Sequence, residues 1–328
     1  METAKKKLSF GQMIGILFKK YMIYVIFVLL LVGAMIFVPN FAKPTNLINI
    51  MVQVSIYAII AYGITCLIIA GVTDLSPGST AAFTGVAGVM LYIELAKVMA
   101  PGLAGVIAVL YSVVLGLIVG MINGFIVTKC NVPAFMATLA TMTSLRGAAL
   151  LYTGGNVIYN IGDISVLGKG SLLGIPIPVI IMLILFVISA IVLKKTMYGR
   201  YLYAIGGNEE AAVASGINVR KVRSAAYWIQ GALAGLAGII LMCRLNTGQP
   251  TAAEGYEFDA ITGAVLGGTS FTGGVGNMVG TIIGILIVGM INNIFNLLSI
   301  QSYYHQILKG VLIVVAVIFD MRGKNAKA

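Results

Sequence analysis

Groups able to do chemistry are scarce in this chain, and their placement narrows what the chain can do. Only 9% of its 328 residues are charged, and His305 is its one histidine. No Gly-x-x-x-x-Gly-Lys-Ser/Thr loop is present to cradle a nucleotide phosphate. The intramembrane ionisable groups form no acid/base constellation, and His305 has no Cys or carboxylate at ligand spacing. Cys66, Cys130 and Cys243 are odd in number and far apart, which implies neither a disulfide framework nor a metal site. What remains is hydrogen-bonding chemistry. Asn123, Asn292, Asn293 and Asn296 are amides within apolar runs, where each needs a partner or water. Such amides either bond helix to helix or offer weak, orientation-tolerant contacts to a passing polar solute. Asp74, followed by Ser76, Pro77, Gly78 and Ser79, reads as helix-capping and turn chemistry. A carboxylate at the bilayer centre costs about 2.5–3.5 kcal/mol, so Asp74 is expected near a membrane edge or a wet cavity, a position that would also suit an inner gate.

The other charges mark ends of apolar segments. Arg146 and Lys309 are expected to snorkel or to pair within the bundle. Arg244, Glu254, Glu257 and Asp259 read as an outer rim, solvated or contacting another protein, and Trp228 reads as an interfacial anchor.

The elements that carry these groups are membrane spans. With 59% hydrophobic residues and long uncharged runs, such as 44–73, 98–128 and 260–308, the chain holds more apolar surface than one soluble core can hide. Ten spans fit: 21–38, 46–69, 79–96, 102–127, 132–151, 177–193, 224–242, 251–268, 277–297 and 302–319. The fold class is therefore an all-α membrane protein, one transmembrane domain over 1–328. It has an N-terminal segment 1–20, a hydrophilic loop 194–223 and a C-terminal segment 320–328. The first apolar stretch lacks a small-x-small cleavage site and reads as a retained span. Placing both termini in the cytoplasm puts 15 of the 21 Lys and Arg on that side. This positive-inside bias accounts for the net charge of +11 and argues against nucleic acid as a partner. The tetrad Gly120-Met-Ile-Asn123 recurs as Gly289-Met-Ile-Asn292, and Thr80-Ala-Ala82 as Thr251-Ala-Ala253. Two matches at nearly one offset suggest two inverted five-span halves with a path between them.

Loop 194–223 contains a short helix with both ends marked. Asn208 suits the N-cap, Glu209 and Glu210 complement the positive end of the dipole, Ala211 and Ala212 propagate, and Gly216 suits a left-handed stop. Alone it is too short to be stable, so contact must hold it. Its small, smooth face of Ala211, Ala212 and Ser215 suits a groove in another protein better than lipid, where a surface connector would carry Leu, Phe or Trp.

The segment Gly207-Asn-Glu-Glu-Ala-Ala-Val-Ala-Ser-Gly-Ile217 resembles the coupling segment of ABC importer permeases of the ribose, galactose and xylose type. So do three further blocks in the expected order. They are Asp74-Leu-Ser-Pro-Gly-Ser79, Asn131-Val-Pro-Ala-Phe-Met-Ala-Thr-Leu139 with Arg146-Gly147, and Gly255-Tyr-Glu-Phe-Asp-Ala-Ile261 with Leu266-Gly-Gly-Thr-Ser270 and Gly273-Gly-Val-Gly276. Val72-Thr73 before Asp74, and Pro77 after it, depart mildly from the pattern. The resemblance implies a type II-like permease fold in the bacterial inner membrane and a homodimer or related heterodimer. It also implies a cytoplasmic ATPase that carries the ATP and magnesium this chain does not bind, and a periplasmic sugar-binding protein. It assigns ATPase coupling to Gly207, Asn208, Glu209, Glu210, Ala211, Ala212, Ser215 and Gly216. Path candidates are Asp74, Ser76, Ser79, Asn123, Asn292 and Asn293, and binding-protein contact candidates are Arg244, Glu254 and Glu257. The rival class is an ion-coupled secondary transporter, which shares inverted repeats but usually needs central carboxylates; here they lie towards span ends.

Overall fold

A computed structural model describes residues 10–301 and, beyond them, 303–304, 306–311, 314 and 318. The terminal segments 1–9 and 319–328, His305 and part of the tenth expected span lie outside the described residues. The helices are α1 (Phe10–Phe37), α2 (Pro44–Ile69), α3 (Pro77–Leu95), α4 (Pro101–Thr128), α5 (Ala134–Thr153), α6 (Val166–Lys169), α7 (Ile177–Lys195), α8 (Met197–Gly207), α9 (Glu209–Ala214), α10 (Val219–Leu245), α11 (Tyr256–Leu266) and α12 (Met278–Leu297). A two-stranded hairpin, Ser171–Leu172 with Ile175–Pro176, precedes α7. Seven of these helices are long and apolar enough to cross a membrane.

Proline sets many of the starts. α2, α3, α4 and α7 carry it at their first or second position, where a missing N–H costs nothing and φ is already helical. The expected spans 46–69, 79–96, 102–127, 132–151, 177–193, 224–242 and 277–297 thus correspond to α2, α3, α4, α5, α7, α10 and α12 within a few residues. α1 begins well before residue 21.

Span 251–268 is corrected. Only Tyr256–Leu266 is helical there. Eleven residues rise about 16 Å, far short of the roughly 30 Å hydrocarbon core. The preceding stretch is turn, with left-handed backbone at Asn246, Ala253 and Gly255. Its carbonyls find an unusual donor: the Arg146 guanidinium donates to the carbonyls of Pro250 (2.8 Å) and Ala252 (2.9 Å). Glu254, Gly255, Glu257 and Asp259 interrupt the apolar run here, which the expected span 251–268 did not take into account.

α2 forms the centre. It is buried nearly throughout and packs against α7, α10, α11 and α12. α10 crosses α4 and α3 at glycines. A Cβ on Gly231 would overlap the carbonyl of Gly116, and one on Gly238 the carbonyl of Ala81. Small residues thus let backbones touch where a bilayer supplies no hydrophobic drive for association.

The two ends of the bundle are distinct. At the end opposite α9, Ile158 and Gly248 form a bridge, and Asn46 and Asn293 clasp α2 to α12. Each amide donates to the other's oxygen, at 3.0 and 2.8 Å. Asn293, a path candidate in the sequence, is therefore a helix-to-helix clasp in this structure. Asn293→Leu alone should lower the melting temperature of the detergent-solubilised protein, because it removes the donor to the Asn46 side-chain oxygen while Asn46 keeps only its bond to the Phe41 carbonyl. The Asn46→Leu/Asn293→Leu pair should melt closer to the parent, with a coupling energy of about 0.6 kcal/mol and at most about 1.7. Additive losses in that cycle would dismiss the clasp.

Candidate functional site

The first candidate element is α9. Asn208 is its N-cap, the side-chain oxygen accepting from the N–H of Ala211 at 2.9 Å. At the other end Gly216 is left-handed (φ 81°), donating to the carbonyl of Val213 while Ile217 donates to that of Ala212. These two bonds are the Schellman closure, so both marked ends form as the sequence predicts. Gly207, Asn208, Glu209, Glu210, Ala211, Ser215 and Gly216 are exposed. Ala212 is not. It is 3% exposed and belongs to the apolar core, so it faces the chain's own bundle, and Val213, 58% exposed, stands on the outward face instead. The physical reason is the Schellman turn, which folds Ile217 back over the last turn of α9.

Two contacts tie α9 to the bundle. Arg223 pairs with Glu209 at 2.8 Å, and its Nε donates to the carbonyl of Ala70, the C-cap of α2, at 3.1 Å. Beside it, Gly206 lies directly on the carbonyl of Ile69 and the N–H of Gly274, and Gly274 in turn donates to Ile69 at 2.9 Å. Three separated segments, ending α2, ending α8 and preceding α12, thus meet backbone to backbone. The sequence signalled the glycines but not their meeting.

The path candidates divide. Asp74, Ser76 and Asn123 come together, all buried. Asp74 accepts from the Ser76 N–H (2.8 Å) and hydroxyl (2.7 Å), Asn123 donates to the Ser76 hydroxyl (2.9 Å), and Thr141 donates to Asn123 (2.6 Å). Tyr227 adds a bond to the carbonyl of Thr73. This network joins α3, α4 and α5, and Thr141 and Tyr227 were missed in the sequence because a hydroxyl in an apolar helix carries no positional signal. Asn292 lies elsewhere, buried on α12 beside a narrow space bounded by Asp259 and Lys309.

Ser79 lines a third feature, a cleft of about 810 Å³ among α3, α5, the turn before α11 and residues 306–310. Arg146, Glu254, Glu257 and Lys309 also line it. Lys309 pairs with Asp259 at 2.8 Å, so Arg146 and Lys309 both serve the bundle. Glu254 is exposed and Arg244 partly so. Glu257 is only 4% exposed, and its carboxylate lies against Gly78 at the start of α3. The expectation of an outer-rim contact for Glu257 is therefore corrected: the short α11 carries it inward.

Membrane-length helices packed on a central span, with a charged cleft to one side and a capped helix fastened to that span, define a multi-pass membrane protein. The family described as the branched-chain amino acid transport system / permease component matches residues 46–317. The chain is 42% identical to the ribose import permease protein RbsC of Bacillus subtilis, covering 99% of this chain and 98% of that one. It is 46% identical to RbsC of Haemophilus influenzae (86% and 87%) and 35% identical to the L-arabinose transport system permease protein AraH of Escherichia coli (98% and 95%). No solved structure matches the chain. The chain belongs to this permease family, among the ribose-type ABC importer permeases, and is a non-catalytic transport component.

Proposed function

We propose that this permease carries ribose or a related monosaccharide across the bacterial inner membrane, as one of two identical copies. A periplasmic binding protein delivers the sugar, and a separate ATPase, holding ATP and magnesium, drives the cycle. The observation that carries this reading is the fastening of α9. An exposed, doubly capped helix joined through Arg223 to the end of the central span is what an external motor would need to move the bundle. Both termini lie in the cytoplasm in this scheme, on the side of α9.

Two inverted halves, with α11 a short helix in place of a full span, fit the packing. The contacts of α4 with α10 and of α3 with α10 have counterparts in those of α12 with α2 and of α11 with α2, which is the exchange an inverted repeat requires. Gly120 against Tyr227 and Gly289 against Val54 then occupy matching places. The Asp74–Ser76–Asn123 network sits where it can hold α3, α4 and α5 together until α9 moves, and Arg244 and Glu254 remain available to the binding protein.

The test is reconstitution. Permease, ATPase and binding protein in proteoliposomes should take up ribose only when ATP is supplied. Ala211→Arg and Val213→Asp should abolish uptake and loosen ATPase binding without loss of folded permease. Uptake driven by a proton or sodium gradient with the permease alone would overturn the proposal.

A further inference from the structure

The cleft of about 810 Å³ contains a group that the proposed coupling does not use. Glu257 lines it, is 4% exposed, and among the described residues its Oε2 has no hydrogen-bond partner. A buried carboxylate oxygen left without a donor is costly, and such groups are normally satisfied. The cost is lessened but not removed by its place in the first turn of α11, at the positive end of that helix, and by Arg146 on the same cleft wall. The side-chain hydrogen bonds of Arg146 run from Nη1 to the carbonyls of Pro250 and Ala252, and Glu257 Oε2 receives none. Ser79 and Thr143 add hydroxyls to a wall otherwise made largely of Met142, Leu150 and Phe258.

We infer that Glu257 is a transit contact for a neutral polyhydroxylated solute, accepting hydrogen bonds from its hydroxyls as it passes the cleft between α5 and α11. The inference rests on the proposed sugar-import reading and adds a residue and a ligand chemistry to it. Carboxylates take O–H donors in short, charge-assisted bonds. The terminal torsion of a glutamate is broad, so the oxygen now against Gly78 can turn to the cleft at little cost. Glu254, on the same cleft, is exposed to water, so Glu257 is the cleft's one buried carboxylate among the described residues. A single desolvated acceptor holds a solute briefly, whereas a ring of them would trap it. α11 is what makes the placement possible: a full-length span would have kept Glu257 near the bilayer edge.

The experiment uses the full complex in proteoliposomes, with ribose as the probe. Glu257→Ala is expected to lower ATP-driven ribose uptake by about tenfold, the loss of one charge-assisted contact. ATP hydrolysis stimulated by the binding protein should stay within about twofold of the parent, because α9 and Arg223 are untouched. Glu257→Gln keeps an acceptor oxygen without the charge and should fall between the two. Unchanged uptake in Glu257→Ala overturns the inference while leaving the import reading intact. Loss of folded protein in both variants also overturns it, by making Glu257 a folding residue. Failure of the parent complex to take up any monosaccharide with ATP overturns the import reading and this inference together.

Discussion

Arg223→Ala is expected to cut ATP-driven uptake by about 5- to 150-fold, the range of a coupling free energy of 1–3 kcal/mol, with nearly normal amounts of folded permease. Arg223 bridges two bodies. Its bond to Glu209 is half in water, with the Glu209 side chain 51% exposed, and an ion pair of that kind contributes at most about 1 kcal/mol. Its bond to the Ala70 carbonyl is charge-assisted and shielded, with Arg223 only 17% exposed, and falls in the range of about 1.5–3 kcal/mol. Glu209→Ala should therefore be mild and Arg223→Ala severe. Arg223→Lys should behave more like alanine than like the parent, since an ammonium cannot reach both acceptors with a planar fork. Measuring binding-protein-stimulated ATP hydrolysis beside uptake separates the cases. Continued hydrolysis with lost uptake marks a broken linkage, whereas equal effects of Glu209→Ala and Arg223→Ala would remove the argument.

Gly206→Ala should be among the most damaging single methyl additions at the described glycines. The added carbon would overlap the Ile69 carbonyl and the Gly274 amide, both backbone groups that no rotamer change can move aside. Overpacking typically costs about 1–3 kcal/mol, and here it also parts the Gly274-to-Ile69 hydrogen bond, which places the loss at the upper end. Its neighbour is the control. A Cβ on Gly207 would meet nothing within 4 Å, and alanine there should leave the yield of folded protein unchanged. Folded yield after membrane extraction, read by size-exclusion chromatography, distinguishes the pair. Comparable yields for the two would mean that the three segments do not meet at Gly206.

The contrast between these two glycines shows where reading the sequence stops. Adjacent and identical in type, they differ only in what another segment brings against them. Local signals were legible: prolines opening spans, Asn208 and Gly216 bracketing α9, and apolar length marking seven membrane-length helices. Each depends on residues within one turn of chain. The break before α11 was passed over although Gly248, Pro250, Glu254 and Gly255 mark it; what no local signal shows is that Arg146, more than 100 residues away, donates to the carbonyls that a helix would have used itself. Glu257 was misplaced for the same reason. Asn46 drew no attention as the partner of Asn293, and Ala212 was assigned the outward face because a two-turn helix of small residues has no strong apolar side. Asp74 and Ser76 were singled out as capping and turn chemistry and Asn123 as an amide in an apolar run, yet their union depends on how α3, α4 and α5 cross.

α2 behaves as a mast with stays. Its sides are held by α7, α10, α11 and α12 and scarcely by lipid. A tug on its foot at Ala70 reaches four neighbours together, and the force passes through protein alone. The stroke should therefore be indifferent to acyl-chain length, and bilayer thickness should alter how many molecules insert more than how far each one moves.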